Sequence, residues 1–206
     1  ENAIVQRLHH PNIVQNLGFC DHQGEKSLVS EYMAGGSLAD LFKEQKKLGV
    51  RLSINTVLSM ATDAACGLAY LHNRQPQPVI HRDLKPSNLL IDKRSGILKL
   101  ADFGLSKTLS VRRKHQTQTV SISEQYELTG ETGSYRYMAP EVFRHEKYNQ
   151  TIDCYAFAMI LFQMYHNATP FSTQSPVEAA RAAASRNERP AIDAMAPAWV
   201  KDLLIK

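Results

Sequence analysis

Residues 79–90 read Val-Ile-His-Arg-Asp-Leu-Lys-Pro-Ser-Asn-Leu-Leu. The apolar pair at each end predicts two short buried strands that hold a polar loop between them. That loop brings Asp83, Lys85 and Asn88 within six positions of one another. A carboxylate, an ammonium group and a side-chain carbonyl at this spacing suit phosphoryl transfer, because that reaction needs positioning and charge neutralisation more than covalent chemistry.

A second polar group follows a hairpin further along the chain. Residues 95–96, Ser-Gly, predict a turn between strands at 89–91 and 97–100, and the second strand leads into residues 102–104, Asp-Phe-Gly. Taken singly, each polar residue has an ordinary explanation, as a turn aspartate, a solvated lysine or an Asx-turn asparagine. Their combination at these spacings argues for one shared site.

Three motifs together resemble the protein kinase family. The first is His-Arg-Asp-Leu-Lys-Pro-Ser-Asn at 81–88, which matches the catalytic-loop pattern of that family. The second is Asp-Phe-Gly at 102–104, and the third is Met-Ala-Pro-Glu at 138–141. Within the family, the sequences of residues 130–142 and 157–161 resemble the tyrosine-kinase-like group, in its Raf-like and integrin-linked-kinase-like branch.

The resemblance implies an α+β, protein-kinase-like fold, with a mostly helical large lobe and a remnant of the β-rich small lobe. One kinase domain, truncated at both ends, would span residues 1–206. Residues 1–32 would supply the end of the small lobe's C helix and its fourth and fifth strands, and residues 33–206 the hinge and the large lobe. The Gly-rich loop and the third-strand lysine of the family would lie before residue 1.

The resemblance also assigns roles to the loop residues. Asp83 would orient the acceptor hydroxyl and accept its proton, and Lys85 would contact the γ-phosphate of ATP. A lysine at this position favours serine or threonine over tyrosine as the acceptor. Asn88 and Asp102 would hold Mg²⁺, which prefers hard oxygen ligands. The expected activity is therefore phosphorylation of protein serine or threonine, with ATP and Mg²⁺ as cofactors.

Further positions are expected around the nucleotide. Backbone groups of Glu31 and Met33 would face adenine, and Leu90 would form the floor beneath the base. Lys85 and the two magnesium-binding side chains would complete the nucleotide site. Asp40 would meet the ribose, although residues 37–40, Ser-Leu-Ala-Asp, predict a helix cap equally well.

A set of regulatory positions is expected around the reactive loop. Arg82 would pair with a phosphate placed on the activation loop, and Ser134 would brace the two charged loop residues. Glycine after Asp-Phe would permit the backbone turn that aims the aspartate inward. The positions that the resemblance marks as regulatory are Glu1, Arg82, Phe103, Gly104, Thr129, Thr132, Ser134 and Glu141.

Several segments outside the motifs also carry structural expectations. Residues 13–14 and 28–32 predict strands around a polar turn, and residues 107–128 predict a surface loop without sustained periodicity. By the same resemblance, Asp153 begins an almost wholly apolar helix and would accept backbone hydrogen bonds from the catalytic loop, although an ordinary carboxylate in the first turn of a helix explains it as well. Asn16 stands where the family has an apolar residue, so its amide would need a partner or a register shift.

Composition excludes several classes of protein. The 206 residues are 43% hydrophobic and 21% charged, with a net charge of +4, which is typical of an ordinary soluble domain. The basic run at 112–115 lacks interleaved aromatic residues, so nucleic-acid binding is not expected. Cys20, Cys66 and Cys154 are too widely spaced to suggest zinc binding or a disulfide framework, which favours a reducing, cytoplasmic location. No apolar run reaches the roughly 20 residues that cross a bilayer, so no membrane span is expected.

Two other interpretations remain open. A pseudokinase scaffold would keep the fold and lack the activity, and a small-molecule kinase of the aminoglycoside type would share the aspartate and asparagine of the loop. Residues 138–141 and the loop before them favour protein substrates. The expected partners are a protein substrate and an activating kinase, and the oligomeric state is not indicated.

Overall fold

The computed structural model describes residues 6–108, 134–194 and 196–205. Its strands are β1 (Asn16–His22), β2 (Glu25–Ser30), β3 (Val79–Ile80), β4 (Leu89–Ile91), β5 (Leu98–Leu100) and β6 (Lys107–Thr108). Its helices are α1 (Leu38–Leu48), α2 (Ile54–His72), α3 (Pro140–Phe143), α4 (Thr151–His166), α5 (Pro176–Arg186) and α6 (Ala198–Ile205). Strands β1 and β2 precede a larger, mostly helical part that contains the other four short strands, which agrees with the predicted α+β class.

The first sheet is an antiparallel hairpin of β1 and β2. The expected strand at residues 13–14 is wrong, since the strand begins at Asn16, and Ile13 forms only a single bridge to Leu100. The polar and glycine-containing sequence of β1 hid its strand character, because its side chains lie mostly exposed instead of alternating. The Asn16 side-chain oxygen Oδ1 accepts the amide of Gly18 at 2.9 Å, beside an irregularity in the β1–β2 pairing, so the amide side chain has the partner that it was expected to need.

The two short strands that flank the reactive loop form as predicted, but each pairs with a different partner. Strand β3 pairs with β6, and β4 pairs with β5 through the turn at Gly96 (φ +72°). The expected loop at 107–128 therefore begins with a strand, because Lys107 and Thr108 complete the pairing of β3. Residues 109–128 lie outside the described part of the chain. The reactive loop thus leaves one two-stranded sheet and enters another.

The main core lies between α2, α4 and the β4–β5 hairpin. Helix α4 is buried nearly all round, as its apolar sequence predicts, with Ile160 fully buried and Met164 1% exposed. Helix α2 crosses close to β5, where Gly67 allows the contact. A second, smaller cluster joins Ile80 to α3 and to the start of α4. Leu84 of the reactive loop belongs to the main core and Ile80, just before the loop, belongs to the smaller cluster, so the loop is packed against both.

Helix ends follow the capping signals of the sequence. The Ser37 hydroxyl caps α1 and Asp40 returns the bond to the Ser37 amide, which is a complete capping box. Ser175 caps α5 through the amide of Glu178. The Glu178 carboxylate pairs with Arg181 and Arg186. Within the described residues, no helix combines the length and apolar character needed to cross a membrane.

Replacing Gly67 with valine is expected to destabilise the protein by about 1–3 kcal/mol through overpacking. A Cβ atom here would lie 2.6 Å from Leu100 Cδ1 and 2.9 Å from the Asn12 carbonyl oxygen. The matched control is Ala65→Val on an exposed position of the same helix, where only the helix propensity changes, by about 0.6 kcal/mol. Urea unfolding measures both free energies. Equal losses at the two positions would contradict the tight crossing of α2 and β5.

Candidate active site

The buried carboxylate of Asp153 anchors the reactive loop from below. It lies in the first turn of α4 and is 1% exposed. Its Oδ2 accepts the His81 amide at 2.8 Å, and its Oδ1 accepts the Arg82 amide at 3.0 Å. His72 Nε2 lies 2.8 Å from Oδ2 and must donate, because an ionised carboxylate only accepts. These bonds fix the direction in which the loop leaves β3.

Asp83, Lys85 and Asn88 converge in space as their spacing predicts. Lys85 Nζ lies 2.9 Å from Asp83 Oδ2. Asn88 Nδ2 donates to Asp83 Oδ2 at 3.1 Å and to the Asp83 carbonyl oxygen at 2.9 Å. Each of these residues is at most 7% exposed, so carboxylate and ammonium offset each other's desolvation. One oxygen of Asp83, Oδ1, takes part in none of these bonds and remains a candidate acceptor for a substrate proton.

The Asp-Phe-Gly segment is placed beside the same loop. The Ala101 amide donates to the Asn88 carbonyl oxygen at 2.9 Å, so Asp102 follows directly after a residue bonded to the loop. Phe103 is 5% exposed and its ring centroid lies 5.1 Å from that of His81. Gly104 donates its amide to Asp102 Oδ1 at 3.3 Å. Asp102 itself is exposed and adopts a positive φ of 59°, an uncommon conformation that turns the chain sharply. The expected role of Gly104 in this turn is therefore wrong, because the left-handed residue is Asp102 and Gly104 does not have a positive φ.

The oxygen donors near this turn fit Mg²⁺. Asn88 Nδ2 donates to Asp83, so the atom that could bind the ion is Oδ1, whose contact with the Ser87 hydroxyl is long, at 3.5 Å. Asp102 presents an exposed carboxylate and follows Ala101, whose amide is bonded to the Asn88 carbonyl oxygen. The described residues contain no group of three or more His, Cys, Asp or Glu side chains suited to a metal. A pair of protein oxygens completed by phosphate oxygens and water is the arrangement in which Mg²⁺ is commonly held.

The residues expected around adenine lie at the junction of the β1–β2 hairpin and the helical part. Leu90 is half-buried between the buried Leu89 and Ile91, so its side chain faces away from the core. Met33 is 7% exposed, and its carbonyl oxygen accepts the Gly36 amide at 3.2 Å. Glu31 has a second role that the sequence did not indicate. Its carboxylate binds Lys99 Nζ at 2.7 and 2.8 Å and the Gln15 amide at 2.7 Å.

Asp40 serves as the capping residue of α1. Its Oδ2 accepts the Ser37 hydroxyl at 2.6 Å and the Ser37 amide at 3.1 Å. These bonds, the hydroxyl first, hold the pKa of the Asp40 carboxyl below its ordinary value. Oδ1 lies 3.4 Å from Lys43 and is the oxygen left to meet a ligand. Of the two roles expected for Asp40, the helix cap is thereby confirmed, and the ribose contact stays a prediction.

Some of the expected regulatory residues lie around the loop. Lys85 Nζ donates to Ser134 Oγ at 3.3 Å, which is the bracing contact expected of that serine. Arg82 adopts a positive φ of 71° and stacks its guanidinium over Tyr148 at 5.9 Å. Glu141 is half-buried in the first turn of α3. Glu1, Thr129 and Thr132 lie outside the described residues.

Three side chains that support the site were missed at the level of sequence. His72 ends α2 and binds Asp153, and Lys99 holds Glu31. Arg136 donates to three carbonyl oxygens at 2.6–3.0 Å, in a segment 34 to 38 residues further along the chain. Each contact joins residues remote in sequence. The only local sign of these contacts in the sequence is the position of His72 at a helix end, next to a proline-rich turn, and it is a weak indication.

The chain is similar in sequence to known proteins. The protein kinase domain family matches residues 1–203 of this chain. Serine/threonine-protein kinase VIK of Arabidopsis thaliana is 44% identical over 88% of this chain and 39% of its own length. Serine/threonine/tyrosine-protein kinase HT1 of the same organism is 39% identical over 94% of this chain and 45% of its own length. Serine/threonine-protein kinase CTR1, also from that organism, is 40% identical over 92% of this chain and 21% of its own length. The chain spans less than half of each relative.

Replacing Asp153 with alanine is expected to destabilise the protein by at least about 2 kcal/mol, because the buried His81 amide, the partly buried Arg82 amide and His72 each lose a charged acceptor. The control is Asp202→Ala on the exposed side of α6, where a change within about 0.5 kcal/mol is expected. Denaturant unfolding of the two variants makes the comparison. Equal stabilities would show that the loop does not depend on this carboxylate.

Proposed function

The chain belongs to the protein kinase family, and from this premise we propose that the protein containing it transfers the γ-phosphate of ATP to serine or threonine hydroxyl groups of other proteins. The observation that carries the proposal is the buried contact of Asp83 with Lys85 and Asn88. A carboxylate, an ammonium group and an amide in one rigid loop meet the needs of phosphoryl transfer. The named serine/threonine kinases among the relatives support the same class of reaction.

In this proposal Asp83 receives the acceptor hydroxyl. Its carboxylate orients the hydroxyl in line with the terminal phosphate and takes the proton as the new oxygen–phosphorus bond forms and the bond to the leaving diphosphate breaks. Lys85 offsets negative charge on the transferred group. Asn88 keeps the Asp83 carboxylate in one rotamer through its bond to Oδ2. The bond from Asn88 to the Asp83 carbonyl oxygen holds the backbone in the same way.

Asn88 and Asp102 are the proposed ligands of Mg²⁺. When bound, the ion neutralises phosphate charge and fixes the phosphate oxygens. Asn88 contributes the oxygen that its bonds to Asp83 leave available, and Asp102 contributes its exposed carboxylate. For the nucleotide itself we propose backbone contacts of Glu31 and Met33 to adenine, apolar contact from Leu90, and a ribose contact from Asp40 through Oδ1.

We further propose that phosphorylation by an activating kinase controls the loop. Arg82 is adjacent to the proposed base, and a phosphate on Thr129 or Thr132 would be its partner. The proposed regulatory set also includes Ser134, Phe103, Gly104, Glu1 and Glu141.

Residues 1–32 would belong to the smaller lobe and residues 33–206 to the hinge and larger lobe. The three free cysteines suit a reducing compartment, which favours the cytoplasm.

The decisive variant is Asp83→Asn in the full-length protein, assayed with radiolabelled ATP, Mg²⁺ and a protein substrate. Loss of the base is expected to lower kcat by about 10²–10⁴-fold. Asp202→Asn makes the same chemical change on an exposed helix surface and is expected to keep the parental rate. Phosphoamino-acid analysis of the product is expected to return phosphoserine or phosphothreonine. Incorporation that survives Asp83→Asn would refute the proposed role, and a full-length protein that binds no Mg²⁺-ATP would be a pseudokinase.

A further inference from the structure

A cavity of about 600 Å³ opens beside the reactive loop. Its lining includes residues from α1, from the loop, from the short helical turn Ser134–Tyr137 and from the end of α4 and the segment after it. Lys85 and Ser134 belong both to this lining and to the contacts around Asp83. A substrate segment whose hydroxyl group reaches Asp83 therefore has its neighbouring residues at the entrance to this cavity.

The charged side chains that line the cavity are all basic. They are Lys43, Lys46, Lys85 and Arg136, and no aspartate or glutamate of the described residues shares the lining. Lys43 lies 3.4 Å from Asp40, but both side chains are more than half exposed, so this pair neutralises little of the charge. Lys46 is exposed one turn further along the same helix. Both ammonium groups are thus available to an anionic ligand.

The rest of the lining does not compensate this charge. The Arg136 guanidinium donates only to neutral carbonyl oxygens of Pro170, Phe171 and Gln174 among the bonds described for it. Gln163 commits its carbonyl oxygen to the Tyr137 hydroxyl at 2.5 Å, which leaves its amide nitrogen as the donor for a ligand. Because Lys85 is paired with Asp83, the net positive charge of the wall comes from Lys43, Lys46 and Arg136. A cationic substrate would be repelled here, and a carboxylate would be attracted.

We propose that this cavity selects protein substrates that carry an aspartate or glutamate a few residues from the phosphorylated serine or threonine, with Lys43 and Lys46 as the specificity-determining residues. The inference rests on the proposed kinase function and adds the substrate class to it. Charge complementarity argues for an acidic segment, and continuity with Asp83 and Lys85 argues for a substrate instead of a separate partner. Because the two lysines contact the substrate away from the reacting atoms, they affect mainly KM.

The test compares two synthetic serine peptides that differ only in having glutamate or glutamine at the flanking positions. A peptide library, assayed with the full-length protein, first locates the position of preference. The test variant is Lys43→Gln/Lys46→Gln. The control is Lys47→Gln/Lys93→Gln, which removes the same charge from exposed positions that do not line the cavity, one of them on the same helix. Thermal unfolding of both variants checks that folding is retained.

The parental protein is expected to favour the glutamate peptide by about tenfold in kcat/KM, since two partly exposed ion pairs contribute a few-fold each. The preference is expected to disappear in the test variant through a higher KM and to persist in the control variant. Higher ionic strength is expected to reduce it. A flat or basic preference, or an acidic preference that survives in the test variant, would overturn the inference. In those cases, phosphate incorporation that still depends on Asp83 would leave the kinase proposal intact. Phosphate incorporation that does not depend on Asp83 would overturn both the kinase proposal and the proposed substrate preference.

Discussion

The hydrogen bonds from two consecutive backbone amides to the Asp153 carboxylate are the constraint on which the active site depends. The carboxylate is 1% exposed, so its charge is tolerated only because His72, His81 and Arg82 all donate to it. Hydrogen bonds to a charged acceptor contribute about 1.5–3 kcal/mol each. This exceeds the roughly 1–2 kcal/mol that the left-handed conformation of Arg82 costs. The anchoring helix thereby imposes a backbone shape that the loop would not adopt alone.

The chemistry of the loop follows from that shape. Once the chain leaves β3 in a fixed direction, Asp83 and Lys85 point into the same buried space, where each offsets the desolvation of the other. Asn88 closes the loop by bonding back to Asp83, and its own carbonyl oxygen fixes Ala101 and so the turn at Asp102. One set of bonds thus orders the residues proposed to receive the substrate and those proposed to hold the metal ion.

Local signals in the sequence predicted much of this arrangement. The caps of α1 and α5 depend on residues three positions apart. The two strands that flank the reactive loop are themselves the apolar pairs in residues 79–91. The caps and the strands could therefore be derived without tertiary information. The motif spacing indicated which side chains converge. Strand β1 was misplaced because its side chains lie on an exposed hairpin and show no alternation. The ion pair of Lys99 with Glu31 joins residues 68 positions apart, and nothing local in either segment encodes it.

The cavity beside the reactive loop, whose charged lining residues are basic, also could not be predicted from local sequence. Lys43 and Lys46 appear in the sequence as ordinary solvated residues of an amphipathic helix, and only the packing of α1 against the reactive loop makes them part of a binding surface. The three carbonyl contacts of Arg136 likewise need the segment after α4 to fold back on it.

The central claim is that the anchored loop and the Asp-Phe-Gly turn form one metal and phosphate site. A crystal structure of the full-length protein with Mn²⁺ and a non-hydrolysable ATP analogue tests it most directly, because anomalous scattering locates the metal. The account predicts a metal ion about 2.0–2.3 Å from Asn88 Oδ1 and an Asp102 oxygen, with the terminal phosphate facing Asp83. A metal and nucleotide bound elsewhere, with Asp83 and Asp102 facing separate surfaces, would contradict it.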